Sequence, residues 1–327
     1  MAEANKPDFD ARADLSSFSK KVDQLRSNIG QVLVGQRKAL DLMLVALLSH
    51  GHVLIEGVPG VAKTLVAKLL ARSINVPFQR LQFTPDLMPS DVLGTSVYNL
   101  KTSQFEFKAG PVFSQMVLVD EINRAPAKTQ AALFEVMEER QVTIDGETHK
   151  MQEPYMVLAT QNPIEQEGTY RLPEAQLDRF ILKIDMGYPS LEDEIAILDK
   201  HDQNSGRLED QVSAVLEGKD ILALRQILPQ VKVEPDLKKY IAKITEASRH
   251  DSSLYLGASP RASLALLYGS RALAALQGRD FVTPDDVKFL AVPVLGHRVI
   301  VSPEREMEGL TSAEIIEQLV AKVEVPR

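Results

Sequence analysis

Short apolar runs alternate with helical periodicities up to about position 190, and only helical periodicities follow. Leu15, Phe18, Val22, Leu25, Ile29 and Leu33 recur at threes and fours, which predicts one amphipathic helix over 15–33. Gly35 and Gln36 break that pattern before a strongly apolar helix over 37–49. Runs at 53–56, 78–83, 116–119, 155–160 and 180–184 are too short and too apolar for helices and read as buried strands. Residues 129–140 are amphipathic and helical. Alternation at 96–100 and 104–107 predicts a small hairpin inside a turn-rich stretch, and residues 141–148 alternate on either side of Asp145-Gly146, the signal for a second. After Pro189 come helical patterns at 191–201, 220–228, 236–249, 260–276 and 284–296, several with Pro-start or capping signals, and no comparable strand.

This order predicts an α/β fold whose parallel strands carry functional loops at their C-terminal ends, followed by an all-helical domain. The boundaries fall at 1–14 for a polar, mobile N-terminus, 15–188 for the α/β domain and 189–327 for the helical one. A chain of 327 residues is long enough for both.

Bulk chemistry narrows the function. A net charge of −8 argues against broad nucleic-acid or anionic-membrane affinity. With no cysteine there are no disulfides, thiolate nucleophiles or Cys-based metal centres, and a reducing cytoplasm is the simplest home. The longest apolar stretch, 42–48, is far short of the ~20 residues of a membrane span. The six histidines show no metal spacing such as H-E-x-x-H.

One stretch carries a specific chemistry. The run at 53–56 leads into Gly57-Val58-Pro59-Gly60-Val61-Ala62-Lys63-Thr64-Leu65, a Gly/Pro turn opening a helix, which is the form of a phosphate cradle. Backbone N–H groups turn inward on one anion where glycines leave room or take positive φ, and the helix start adds unpaired N–H groups and its positive dipole end. Lys63 can reach terminal phosphates, and Thr64 can offer its hydroxyl to a bridging Mg²⁺. The usual pattern has a second glycine where this chain has Ala62. A methyl group there is expected to be tolerated at negative φ, as the first position of the helix.

Hydrolysis also needs a placed metal, an activated water and compensation of developing charge. Asp120 ends an apolar run, so its carboxylate can meet Mg²⁺ directly or through water, and Glu121 beside it faces the other way, as a water-polarising group requires. Asn162 follows the fourth run, either orienting water at the γ-phosphate or serving as a turn residue before Pro163. Arg179 precedes the fifth run, either pairing at the surface with Asp178 or Glu174 or reaching a neighbour's γ-phosphate. Arg261 opens a helix beyond the boundary, either solvated or pointing at nucleotide between the domains.

Together with the cradle, the segments Val117-Leu118-Val119-Asp120-Glu121-Ile122-Asn123-Arg124-Ala125, Ala159-Thr160-Gln161-Asn162-Pro163, 172–180 and 257–262 closely resemble the MoxR family of AAA+ ATPases, over about residues 25–295. The resemblance implies an αβα sandwich with strand order 5-1-4-3-2 and a helical lid. It implies a Walker A at 57–64, Walker B acids Asp120 and Glu121, sensor 1 at Asn162, an arginine finger at Arg179 and sensor 2 at Arg261. Val34, Gly35 and Gln36 would touch adenine, ATP or ADP being the ligand with Mg²⁺. The stretches 84–113 and 141–153 would be the helix-2 insert and the pre-sensor hairpin, both facing the pore of a hexameric ring. The family remodels client proteins, often for metal-cofactor insertion, with partners bearing a von Willebrand factor A-type domain. A magnesium-chelatase-type motor and a nucleotide-gated switch are the alternatives. The hairpin tip Asp145-Gly146-Glu147 would repel phosphates in a pore and disfavours a DNA translocase.

Overall fold

A computed structural model describes residues 15–162, 170, 172–203 and 208–326. The polar stretch 1–14 and the turn residue Pro163 lie outside the described residues. The expected strands form one parallel sheet: β1 (His52–Gly57), β2 (Phe78–Gln82), β3 (Met116–Asp120), β4 (Met156–Gln161) and β5 (Phe180–Met186). Their spatial order is β2-β3-β4-β1-β5, which read from the other edge is the order 5-1-4-3-2 implied by resemblance. Central strands are covered on both faces, which is why they read as unbroken apolar runs. β2 departs from the expectation of a buried strand, since Gln79, Arg80 and Gln82 are exposed. It is an edge strand with one neighbour, where polar residues are tolerated.

Strand alternation divides the core. Val53, Ile55, Leu118 and Leu158 face one side, against α1 (Ser16–Gly30), α2 (Arg37–Leu48) and α3 (Lys63–Ser73), while Leu54, Val117 and Val157 face α4 (Ala127–Glu139) on the other. The C-terminal part contains α5 (Leu191–Gln203), α6 (Gly218–Ile227), α7 (Pro235–His250), α8 (Pro260–Leu276), α9 (Pro284–Leu295) and α10 (Ser312–Lys322). The first apolar cluster continues without a break into these helices through Leu224, Ile244, Leu266, Leu290 and Ile316. The lid therefore shares a core with the N-terminal helices. At the junction, a Cβ on Gly269 of α8 would lie 3.6 Å from Val45 of α2.

Several elements lie outside the sequence reading, among them the short helices Pro89–Leu93, Glu174–Leu177 and Pro303–Met307. A two-stranded ladder joins Leu254–Leu256 to Ile300–Val301, each strand too short to show alternation. α10 was also missed, although Thr311 and Glu314 form the reciprocal capping box that opens it. Both expected hairpins are present, Gly94–Asn99 with Gln104–Ala109 and Gln141–Ile144 with Glu147–Lys150, and Phe107 of one stacks on His149 of the other at 4.2 Å. No helix among the described residues is long and apolar enough to cross a membrane.

Candidate functional site

The turn between β1 and α3 is shaped by its neighbours as well as by any ligand. A Cβ on Gly57 would lie 2.5 Å from the Met186 carbonyl oxygen, so β5 alone demands glycine there. Gly60 adopts φ +90° with open space around it. Ala62 corrects the expectation: it sits at φ 64°, ψ 22°, left-handed, as the N-cap of a helix that begins at Lys63. The chain needs a left-handed residue to pass from the loop into α3, which is the role of the glycine in the fuller pattern. An L-residue there costs about 1–2 kcal/mol. Lys63 donates from Nζ to the Gly57 carbonyl at 2.5 Å, closing the loop on itself. Val61 is buried, and Val58 and Leu65 pack on the core, so these residues offer the site only backbone, while Pro59 is exposed.

Asp120, at the end of β3, is 6% exposed and already paired. Its Oδ2 accepts from Arg80 Nε at 2.6 Å and its Oδ1 from the Thr160 hydroxyl at 3.1 Å. The same Thr160 oxygen accepts the Glu121 N–H at 3.0 Å. Glu121 takes φ 56°, and its carboxylate accepts from Arg124 at 2.9 Å and Gln82 at 2.7 Å. The two carboxylates thus have separate cationic partners, Arg80 and Arg124, while the Thr160 hydroxyl bridges the two residues, and neither acid relies on a ligand for charge compensation. Asn162 is buried just past β4. Arg80, Gln82, Arg124 and Thr160 were not singled out from sequence; the one local signal was that Arg80 and Gln82 are polar at alternate positions of an apolar run.

The donor set suits Mg²⁺ and a phosphate chain: a hydroxyl at Thr64 and a carboxylate at Asp120 are hard oxygen ligands, and the cradle presents Lys63 at the N-terminal, positive end of α3. Gly35, at φ +74°, rests against α5, where a Cβ would lie 2.6 Å from Asp193 Oδ2, and Gln36 caps α2. Val34 beside them is partly exposed.

Both remote arginines pair with one acid of α4 that their sequence neighbours do not indicate. Arg179 pairs with Glu138 at the end of α4, at 2.9 Å, and not with Asp178 or Glu174. Asp178 is taken by Arg298, whose Nε donates at 2.7 Å, and by the Ser259 hydroxyl at 3.0 Å. Arg261, for which the sequence leaves solvent or nucleotide between the domains open, donates to the same Glu138 at 2.9 Å. Register fixes how far this cluster lies from the cradle. β5 pairs Phe180 with His52 and Met186 with Gly57, so Arg179 enters at one end of β1 while the cradle leaves from the other. Those ends are about 16–20 Å apart at ~3.3 Å per residue.

Arg298 fastens the arginine end. Its side chain is 3% exposed and donates to the carbonyls of Asp178, Phe180, Ile181 and Val294 as well as to the Asp178 carboxylate. Burial pulls its pKa down, and the hydrogen bond and charge of Asp178 pull it back. Neighbouring His297 donates from Nε2 to the Phe180 carbonyl at 2.9 Å, and burial holds its pKa well below the usual value.

Comparison with known proteins bears on the family and the fold. Residues 52–182 match the family described as "ATPase family associated with various cellular activities (AAA)", and residues 246–319 match the AAA lid domain. Bacillus subtilis YeaC is 46% identical over 91% of this chain and 93% of its own length. Chaperone MoxR1 of Mycobacterium tuberculosis is 43% identical over 91% and 81% respectively. A crystal structure from Cytophaga hutchinsonii, of a protein assigned as an ATPase, superposes with a TM-score of 0.89 at 40% identity, over 96% of this chain and 97% of that one. A five-stranded sheet in this order, a cradle after its first strand and relatives of this identity over nearly the whole length establish that the chain is an ATPase of the MoxR family of AAA+ proteins.

Proposed function

We propose that this ATPase works as a head-to-tail ring in which each nucleotide is held by one copy and completed by Arg179 and Arg261 of the next. The observation that carries this reading is the distance of about 16–20 Å along β1 between the cradle and Arg179. A guanidinium at the far end of the strand cannot serve its own cradle, and Arg261, sharing Glu138, belongs to the same end. Glu138 holds both arginines when no phosphate faces them. An anion from a neighbouring copy would compete for them.

Within one copy, the cradle amides and Lys63 bind the phosphates, and Val34, Gly35 and Gln36 line the adenine side. Thr64 and Asp120 would hold Mg²⁺, which would supply charge neutralisation to the bound phosphates. Glu121 polarises the attacking water and Asn162 orients it. Arg179 and Arg261 stabilise the charge that develops on the transferred group. The products are ADP and phosphate.

Turnover in such a ring remodels client proteins, in keeping with the chaperone named among the relatives. Maturation of a metal-containing client, with a partner of the von Willebrand factor A type, is the task the family resemblance suggests. Hairpin-tip carboxylates at Asp145 and Glu147 favour protein over nucleic acid in the pore, and the absence of cysteine suits a reducing cytoplasm.

Co-expression tests the shared site. Lys63→Ala and Arg179→Ala rings should each be inactive. Random mixed rings should recover about a quarter of wild-type turnover, because one heterologous interface in four joins an intact cradle to an intact arginine. No recovery would place Arg179 in its own chain's site.

A further inference from the structure

α5 has a mixed inward side, with half-buried Ala196 and Ile197 among charged residues, and an aliphatic outward side. Its inward side carries Asp193, which rests against Gly35, and Lys200, which donates to the Gly30 carbonyl at 2.8 Å. Leu191, Ile195 and Leu198 project from the opposite side, 70, 51 and 66% exposed. At spacings of four and three these side chains form one continuous stripe. No described residue of α5 joins either apolar core cluster. Contiguous exposed aliphatics of this kind mark an interaction surface.

A second patch lies on α8. Arg261, Leu264 and Tyr268 stand at spacings of three and four on one face, and the two apolar side chains are 48 and 47% exposed. The charges of the two helices are opposed: α8 contains Arg261 and Arg271 and no acid, whereas α5 contains Glu192, Asp193, Glu194, Asp199 and Asp202 against Lys200.

We infer that the α5 stripe of one copy seats on Leu264 and Tyr268 of the next copy, forming the apolar part of the ring contact. This rests on the reading that Arg261 acts across copies. If Arg261 reaches a neighbour's nucleotide, Leu264 and Tyr268 are carried onto that neighbour at about 4.5 and 10.5 Å further along the helix axis. What they meet there is set by the chain path. β5 ends at Met186, whose carbonyl lies against Gly57 at the start of the cradle, and α5 begins at Leu191. α5 is therefore the helix that leaves from beside the cradle. The two surfaces differ and lie on different helices, so each copy can offer one to the neighbour on either side, a heterologous pairing of the kind that builds rings.

A cysteine-free chain permits a direct test. Leu198→Cys and Leu264→Cys are placed together in one chain, assembled with Mg-ATP and treated with a short bis-maleimide. The expected result is a ladder of covalent oligomers ending at the ring size, with each single-cysteine variant remaining monomeric on the denaturing gel. Leu198→Asp, a surface change that should leave the thermal melt in place, should raise the protein concentration needed for assembly at least tenfold. Rings that form without a ladder, or a Leu198→Cys variant that crosslinks to itself, overturn the pairing while leaving the shared nucleotide site intact. If wild-type protein does not assemble and the Lys63→Ala and Arg179→Ala mixture recovers no turnover, the underlying reading falls and the pairing falls with it.

Discussion

Replacing Arg298 by Met removes a buried guanidinium of similar length and leaves its partners behind. The Asp178 carboxylate would keep only the Ser259 hydroxyl of the two side-chain donors it now has, and the carbonyls of Asp178, Phe180, Ile181 and Val294 would lose the guanidinium. Removing one partner of a buried pair costs about 3–5 kcal/mol. Asp178 is 20% exposed and recovers some hydration, which favours the lower end. Unfolding entropy of ~2.1 cal/mol/K per residue gives a chain of 327 residues roughly 0.7 kcal/mol/K, so the melting temperature should fall by about 4–7 °C. Arg298→Lys, which keeps the charge and loses the fork, should lie between. Because Arg179 follows Asp178 directly, loosening this end should also lower kcat in the assembled protein about tenfold, equivalent to ~1.4 kcal/mol, with KM for ATP little changed. Calorimetry and steady-state ATPase assays measure both. A melting temperature within 1 °C of wild type would refute the fastening role, as would a raised KM with kcat intact.

Other outcomes follow from the same structure. His52 is fully buried and neutral, donating from Nε2 to the Met137 carbonyl and accepting the Val157 N–H at Nδ1, both at 2.9 Å, and burial lowers its pKa to about 4. The unfolded chain binds this proton near the usual 6.5, so the stabilisation is complete above that pH and is lost as pH falls toward about 4, by about 3 kcal/mol. Urea unfolding at a series of pH values should show the loss, and NMR should show no protonation of His52 above pH 5. Thr160→Val leaves the Glu121 N–H without its acceptor and Asp120 without one donor, a change of about 1–3 kcal/mol that should lower kcat at least tenfold while nucleotide binding persists. Equal losses in binding and turnover would contradict that role. Ala62→Gly relieves left-handed strain of about 1–2 kcal/mol and adds unfolded-state entropy worth about 0.4–1 kcal/mol, so thermal melts should show a gain of about 0.5 kcal/mol and not a loss.

Much of this molecule could be read from the chain alone, because local physics decides it. The apolar runs at 53–56, 116–119 and 155–160 became the three central strands of the sheet, since a strand covered on both faces has to be apolar throughout, while the edge strand β2 was legible even with polar Gln79, Arg80 and Gln82. The turn before Lys63 stands out in the sequence because a phosphate cradle would demand small residues at fixed spacing, and Asp120 with Glu121 because two carboxylates ending an apolar run are costly without a purpose. What the chain could not display were pairings between distant segments. Nothing near Arg179 in sequence points to Glu138, nothing near Asp178 points to Arg298, and Arg80 meets Asp120 only because β2 lies beside β3. Ala62 was misjudged because a residue's φ depends on the path the chain must take between two packed elements. The separation of cradle and arginines belongs wholly to tertiary structure, since strand register, and not the order of residues, sets which ends of β1 they occupy. In the shared-site reading proposed above, that separation makes the nucleotide loop half of a site.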